Sequence, residues 1–271
     1  MTPATSILRS LYRKVRPRPA RPAIDLERLF FLHVPKCGGT SINTALERAY
    51  RAAGAGAVHL DPHAAARAAD LSGDGLRRHK EQVLLYFMAG HHRYISGHFN
   101  YSAAAWDTFG DAWRYVTVLR EPVARWLSNY FYNRYKTNTD HYRIDEPLEA
   151  FVETDRARFY GGNYVTSLST TRLISEASSD EAIGQAVANL ERFAVAGVLE
   201  HLGTFASDCE RYFGVSLDIG HRNANPRTAG QQQEEISPEL MERIRALCAP
   251  NLQVYEAALN RIDTHGSWLP R

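Results

Sequence analysis

An unbroken apolar run, Leu29-Phe30-Phe31-Leu32, leads into His33-Val34-Pro35-Lys36-Cys37-Gly38-Gly39-Thr40-Ser41. A short apolar run of this kind predicts a strand buried on both faces. Beyond the glycines, Ile42, Ala45, Leu46, Ala49 and Tyr50 share one face of a predicted helix. Tyr94 to His98 predicts a short strand or strand end, and Tyr115 to Leu119, apolar and β-branched, a second buried strand. Pro122 falls in the first turn of the next predicted helix, whose apolar stripe is Val123, Trp126, Leu127, Tyr130 and Phe131. Further on, a helix over Glu181 to Phe193 precedes the strand-like Ala194 to Leu199. Leu202, Phe205, Cys209, Tyr212 and Phe213 predict another helix, stopped at Gly214. Ser237-Pro238 opens the last helical region, which Pro250 is expected to interrupt before Leu252 to Ile262. The Ala-rich stretch around Arg51 to Asp74, broken by glycines, reads as loop with some helix and is assigned no chemistry.

Strands alternating with helices predict an α/β fold: three layers, with a central, mostly parallel sheet flanked by helices. The chain has 271 residues, 44% of them hydrophobic, enough for a sizeable core in one large domain or two small ones. A flexible basic arm is expected over residues 1–27, where Arg9, Arg13, Lys14, Arg16, Arg18 and Arg21 mix with prolines. Residues 28–271 are expected to form a single domain. A net charge of +2 gives no global field for nucleic acid. No apolar run approaches the ~18 residues of a membrane span, and no signal-peptide core follows the basic start. The expectation is a soluble, cytoplasmic protein. Three widely spaced cysteines do not suggest a disulfide framework. The histidines His91, His92 and His98 fit no recognised zinc spacing, so no metal site is expected.

The loop from Lys36 to Ser41 carries the chemistry. A strand, a glycine loop and a helix aim backbone N–H groups and the positive helix end at one spot, which suits phosphate. Lys36 adds a point charge; Thr40 and Ser41 add hydroxyls. The order is not that of Walker A, where the lysine follows the second glycine. A tight turn with a helix N-cap accounts for the same residues structurally. Arg120 ends a predicted strand where doubly wound sheets bind ligands, and Ser128, eight residues on, is placed to reach the same anion. An ion pair for Arg120 and a surface position for Ser128 are the structural alternatives.

Together these segments resemble the PAPS-dependent sulfotransferases (PAPS is 3′-phosphoadenosine 5′-phosphosulfate), and most closely the carbohydrate branch that includes heparan sulfate 2-O-sulfotransferases. Pro35-Lys36-Cys37-Gly38-Gly39-Thr40-Ser41 is similar to the family's loop for the 5′-phosphosulfate, with Cys37 where threonine is common. Arg120 and Ser128 match in type and spacing the pair that holds the 3′-phosphate. Gly97-His98 matches a Gly-His pair whose histidine is the catalytic base. Asn163 to Leu168 and Asn189 to Glu200 resemble later family segments. Arg222-Asn223-Ala224-Asn225-Pro226-Arg227 resembles the loop that closes over the nucleotide, which implies Arg222 and Arg227 as cofactor contacts. The likeness spans roughly Arg28 to Ile262.

The resemblance implies transfer of the sulfuryl group of PAPS to a hydroxyl, on a carbohydrate or other glycan, with 3′-phosphoadenosine 5′-phosphate as product. His98 is then the general base, near its ordinary pKa of ~6.5. Lys36 is the catalytic cation, and no metal is needed. Cofactor contacts are Lys36, Cys37, Gly38, Gly39, Thr40, Ser41, Arg120, Ser128, Arg222 and Arg227. Tyr94, Tyr101, Trp106, Trp113, Tyr130, Tyr132 and Tyr135 are either sugar-stacking surfaces or core. Two other readings stay open: an ATP- and magnesium-dependent P-loop kinase, and a non-catalytic nucleotide- or glycan-binding protein of the same fold.

Overall fold

The computed structural model describes residues 26–137, 142–220 and 236–270. In chain order the elements are β1 (Arg28–Leu32), α1 (Gly39–Ala52), β2 (Ala57–His59), α2 (Pro62–Ser72), α3 (Leu76–Ala89), β3 (Tyr94–Gly97), α4 (Ala103–Phe109) and β4 (Trp113–Leu119). There follow α5 (Pro122–Tyr135), α6 (Leu148–Phe151), α7 (Asp155–Gly161), α8 (Asn163–Leu168), α9 (Asp180–Glu191), β5 (Val195–Val198), α10 (Leu202–Phe213) and α11 (Pro238–His265). The strands form one sheet in the order β2-β3-β1-β4-β5, and every pairing is parallel. The expected α/β architecture is therefore observed, with β1 at the centre.

Alternation along the strands explains the layers. Phe30 and Leu32 of β1 face one way with Ile95, Trp113, Tyr115 and Val198. Leu84 and Met88 of α3, Leu190 of α9 and Val254 and Ile262 of α11 cover that side. Leu29 and Phe31 face the other way with Tyr94, Val116, Val118 and Val195, covered by Ile42 and Leu46 of α1 and Phe205 and Cys209 of α10. A parallel sheet needs this double cover. A third apolar cluster joins Trp126, Tyr130 and Phe131 of α5 to Phe151 of α6 and Ile244 of α11.

Two local expectations are corrected. The stretch after Arg51 contains, besides the expected helix, an edge strand β2; the helix is the eleven-residue α2, which Asp61 caps by accepting from the N–H groups of His63 and Ala64. Pro250 does not interrupt the last helix, because α11 runs through it. Buried tertiary contacts hold that turn: Asn251 Oδ1 accepts the Tyr164 N–H at 2.8 Å, and Asn251 Nδ2 donates to the Tyr160 carbonyl at 3.2 Å. Among the described residues no helix is long and apolar enough to cross a membrane. Most of the basic arm, Arg222 and Arg227 lie outside the described residues.

Candidate active site

Because the sheet is parallel, the loops after β1, β3 and β4 open at the same end of three adjacent strands. They carry Lys36, His98 and Arg120, so three residues far apart in sequence meet at the edge where such sheets bind ligands.

The β1 loop is shaped by its backbone. Lys36 sits at φ 67° and Gly38 at φ 73°, both in the left-handed region. For lysine that conformation is uncommon and marks a constrained loop. Gly38 precedes α1 with no side-chain cap, and the first turn of α1 has no acidic residue. Ser41 and Ile42 N–H groups turn back to the Gly38 carbonyl at 3.1 and 3.3 Å. A fourteen-residue helix begun this way keeps its positive end open to an anion. Thr40 is exposed and Ser41 half-buried. The Cys37 side chain turns inward instead: it is 1% exposed, and burial raises its thiol to about 11. Only the backbone of Cys37 is left to meet a ligand.

Lys36 is mostly withdrawn from water. Burial, then the like charges of Arg120 and Lys136, lower its pKa to about 8. Its ammonium lies 3.5 Å from the centre of the Tyr132 ring. Among the described residues it has neither a carboxylate nor a hydrogen-bond acceptor. Arg120 Nη1 donates to the Lys36 carbonyl at 3.4 Å, and Arg120 likewise makes no ion pair among the described residues. The structural alternative for Arg120 is thus absent within those residues, and two cations converge without compensation. Ser128 is half-buried on the second turn of α5, with no hydrogen bond joining it to Arg120.

By structure, the chain is similar to a solved sulfotransferase from Alicyclobacillus acidocaldarius. The two share 16% sequence identity with a TM-score of 0.46, over 88% of this chain and 97% of the other. No family model matches the sequence, and no curated protein matches it.

His98 follows β3. Its Nδ1 lies 2.8 Å from the His33 carbonyl. A carbonyl only accepts, so Nδ1 carries the proton and Nε2 keeps its lone pair. Burial lowers the His98 pKa to about 4, against a smaller upward pull from the His33 carbonyl; Lys80 and His59 push it down further. The ordinary value near ~6.5 expected from sequence is therefore replaced by a neutral imidazole throughout the physiological range. The His33 ring sits 4.3 Å from that of His98, and a Cβ on Gly39 would come within 2.0 Å of it. Glycine at position 39 is what lets His33 occupy this place.

The sequence reading missed Tyr164 as part of this site. Wholly buried, its hydroxyl donates to the Arg120 carbonyl at 2.5 Å and accepts the Arg120 N–H at 2.9 Å. Cys37 Sγ lies 3.5 Å from the same oxygen. Tyr164 thereby staples the β1 loop to the β4 loop. The signal was its place in Asn163 to Leu168, every residue of which is buried. Of the proposed stacking aromatics, Tyr94, Tyr101, Trp113 and Tyr130 are core residues. Tyr132 is only half-buried, and its face is taken by Lys36.

Proposed function

We propose that this chain is a sulfotransferase that moves the sulfuryl group of PAPS to a hydroxyl of a saccharide. The observation that carries the reading is the convergence at one sheet end of three groups. These are, among the described residues, a largely desolvated ammonium with no acceptor, a guanidinium with no carboxylate and a histidine fixed in its neutral, Nε2-open form. A largely desolvated cation without a partner is costly, and an anionic ligand removes that cost.

In this reading Lys36, the open N–H groups of the glycine loop and the Ser41 hydroxyl hold the 5′-phosphosulfate. Arg120 and Ser128 hold the 3′-phosphate, and Arg222 and Arg227 close over the nucleotide. His98 Nε2 takes the proton of the acceptor hydroxyl as its oxygen bonds to sulfur. The bond between sulfur and the bridging oxygen breaks, and the electron pair leaves with the 5′-phosphate of 3′-phosphoadenosine 5′-phosphate. Lys36 and the loop N–H groups stabilise the charge that develops there. A base with a pKa of about 4 is weak, but the negative donor beside it favours the imidazolium and strengthens it as it works.

The reading is tested by incubating the protein with PAPS and a panel of saccharides in a chelator and following both sulfate transfer and nucleotide product. Transfer that disappears in His98→Ala and Lys36→Ala is the expected result. Phosphoryl transfer from ATP dependent on magnesium would replace it with the kinase. Nucleotide binding without transfer to any acceptor would leave a binding protein.

A further inference from the structure

We infer that Tyr132 is a positioning residue for Lys36: the face of its ring holds the ammonium at the mouth of the glycine loop. The inference rests on the reading of Lys36 as the cation at the transferred group.

Lys36 is a long side chain in a basic setting. Arg120 and Lys136 both repel its charge, and burial disfavours it further. A lysine stem is flexible and its ammonium strongly hydrated, so those forces drive it toward water. Among the described residues the contact that opposes them is the Tyr132 ring, whose centre is 3.5 Å from Nζ, with a smaller favourable influence from Cys37. The negative face of an aromatic ring attracts a cation at that distance, more so when water is excluded. Lys136 lies 5.7 Å from the same centre and donates to Asn133 Oδ1 at 2.9 Å, so its ammonium is held apart by a partner of its own.

The choice of a ring has a chemical consequence. A carboxylate would hold Lys36 as firmly but would neutralise it and occupy its N–H donors. A ring face does neither, so charge and donors remain available to phosphosulfate oxygens. Tyr132 is one helical turn beyond Ser128 on α5, the same i, i+4 face. The helix that presents Ser128 to the nucleotide thus also places Lys36. Among the described residues the Tyr132 hydroxyl makes no hydrogen bond, so the ring is the part that acts.

The test compares Tyr132→Phe and Tyr132→Leu in wild-type and Lys36→Ala backgrounds. It follows turnover of PAPS, affinity for 3′-phosphoadenosine 5′-phosphate, thermal midpoint and the proton shifts of the Lys36 ε-methylene by NMR. In the wild type the ring current moves those protons upfield; Phe keeps the shift and Leu loses it. Turnover stays within about twofold in Phe and falls roughly tenfold in Leu, and Leu has no further effect once Lys36 is Ala. Unshifted ε-protons in the wild type overturn the inference, as does an equal loss from Leu in both backgrounds. If the wild type does not turn over PAPS, the functional reading fails alone, and the NMR shift still decides for or against the contact. If Leu does not fold, the wild-type and Phe spectra decide.

Discussion

Lys36 and His98 set the pH window at the scale of single residues. Both are bases whose pKa is lowered chiefly by burial, to about 8 and about 4. In the proposed reading Lys36 works charged and His98 works neutral. Between the two values both conditions hold. Below about 4 His98 gains a proton and loses its lone pair; above about 8 Lys36 loses its charge. The expected kcat/KM profile, which reports the free enzyme, is a plateau from about 4 to about 8. An acid limb near the ordinary histidine value would contradict the role given to burial. One preorganised donor to a developing charge contributes about 3–4 kcal/mol, so Lys36→Ala should lower turnover by two to three decades, roughly speaking. Tyr164→Phe removes one hydroxyl and leaves both Arg120 backbone groups without their partner. A cost of about 1–3 kcal/mol follows, read as a lower thermal midpoint together with weaker nucleotide binding.

Elements differed in how much of them could be read from sequence. The strands β1, β4 and β5 announced themselves as apolar runs, β3 only as a short strand or strand end, and α1, α5 and α10 through their stripes. Edge strand β2 spans three residues between Gly56 and Leu60, too short for any period to register. Pro250 argued against a continuous helix on local grounds, and the Asn251 contacts overrode it. The loop glycines were legible as a site for an anion, but not their second purpose. Gly39 makes room for His33, whose carbonyl orients His98, and that contact joins residues on two different strand ends. Gly39→Ala should therefore displace His33, costing about 1–3 kcal/mol of stability as overpacking does. Activity should fall beyond what nucleotide affinity explains, because the proposed base, His98, loses its support. Circular dichroism melts beside kcat and donor KM check this; an unchanged kcat would remove His33 from the account.

The whole molecule brings the site together by topology. Lys36, His98 and Arg120 are separated by more than sixty and by more than twenty residues, yet a parallel order of β3-β1-β4 sets their loops side by side. The three strands were legible in the sequence, but their order in the sheet was not. Nor were the contacts within the site, since Tyr132 over Lys36 and Tyr164 between the loops depend on side-chain packing across distant segments. The central claim is that this sheet end holds a 3′-phosphorylated nucleotide. Calorimetry of 3′-phosphoadenosine 5′-phosphate against ADP and ATP, without magnesium, on the wild type and Arg120→Ala, addresses it most directly. In the proposed reading Arg120 contacts the 3′-phosphate in ground and transition states alike, so its loss should raise donor KM more than it lowers kcat. Binding of the 3′-phosphorylated nucleotide alone, weakened in Arg120→Ala, is the predicted result. Equal or tighter binding of ATP, unaffected by that substitution, would contradict it.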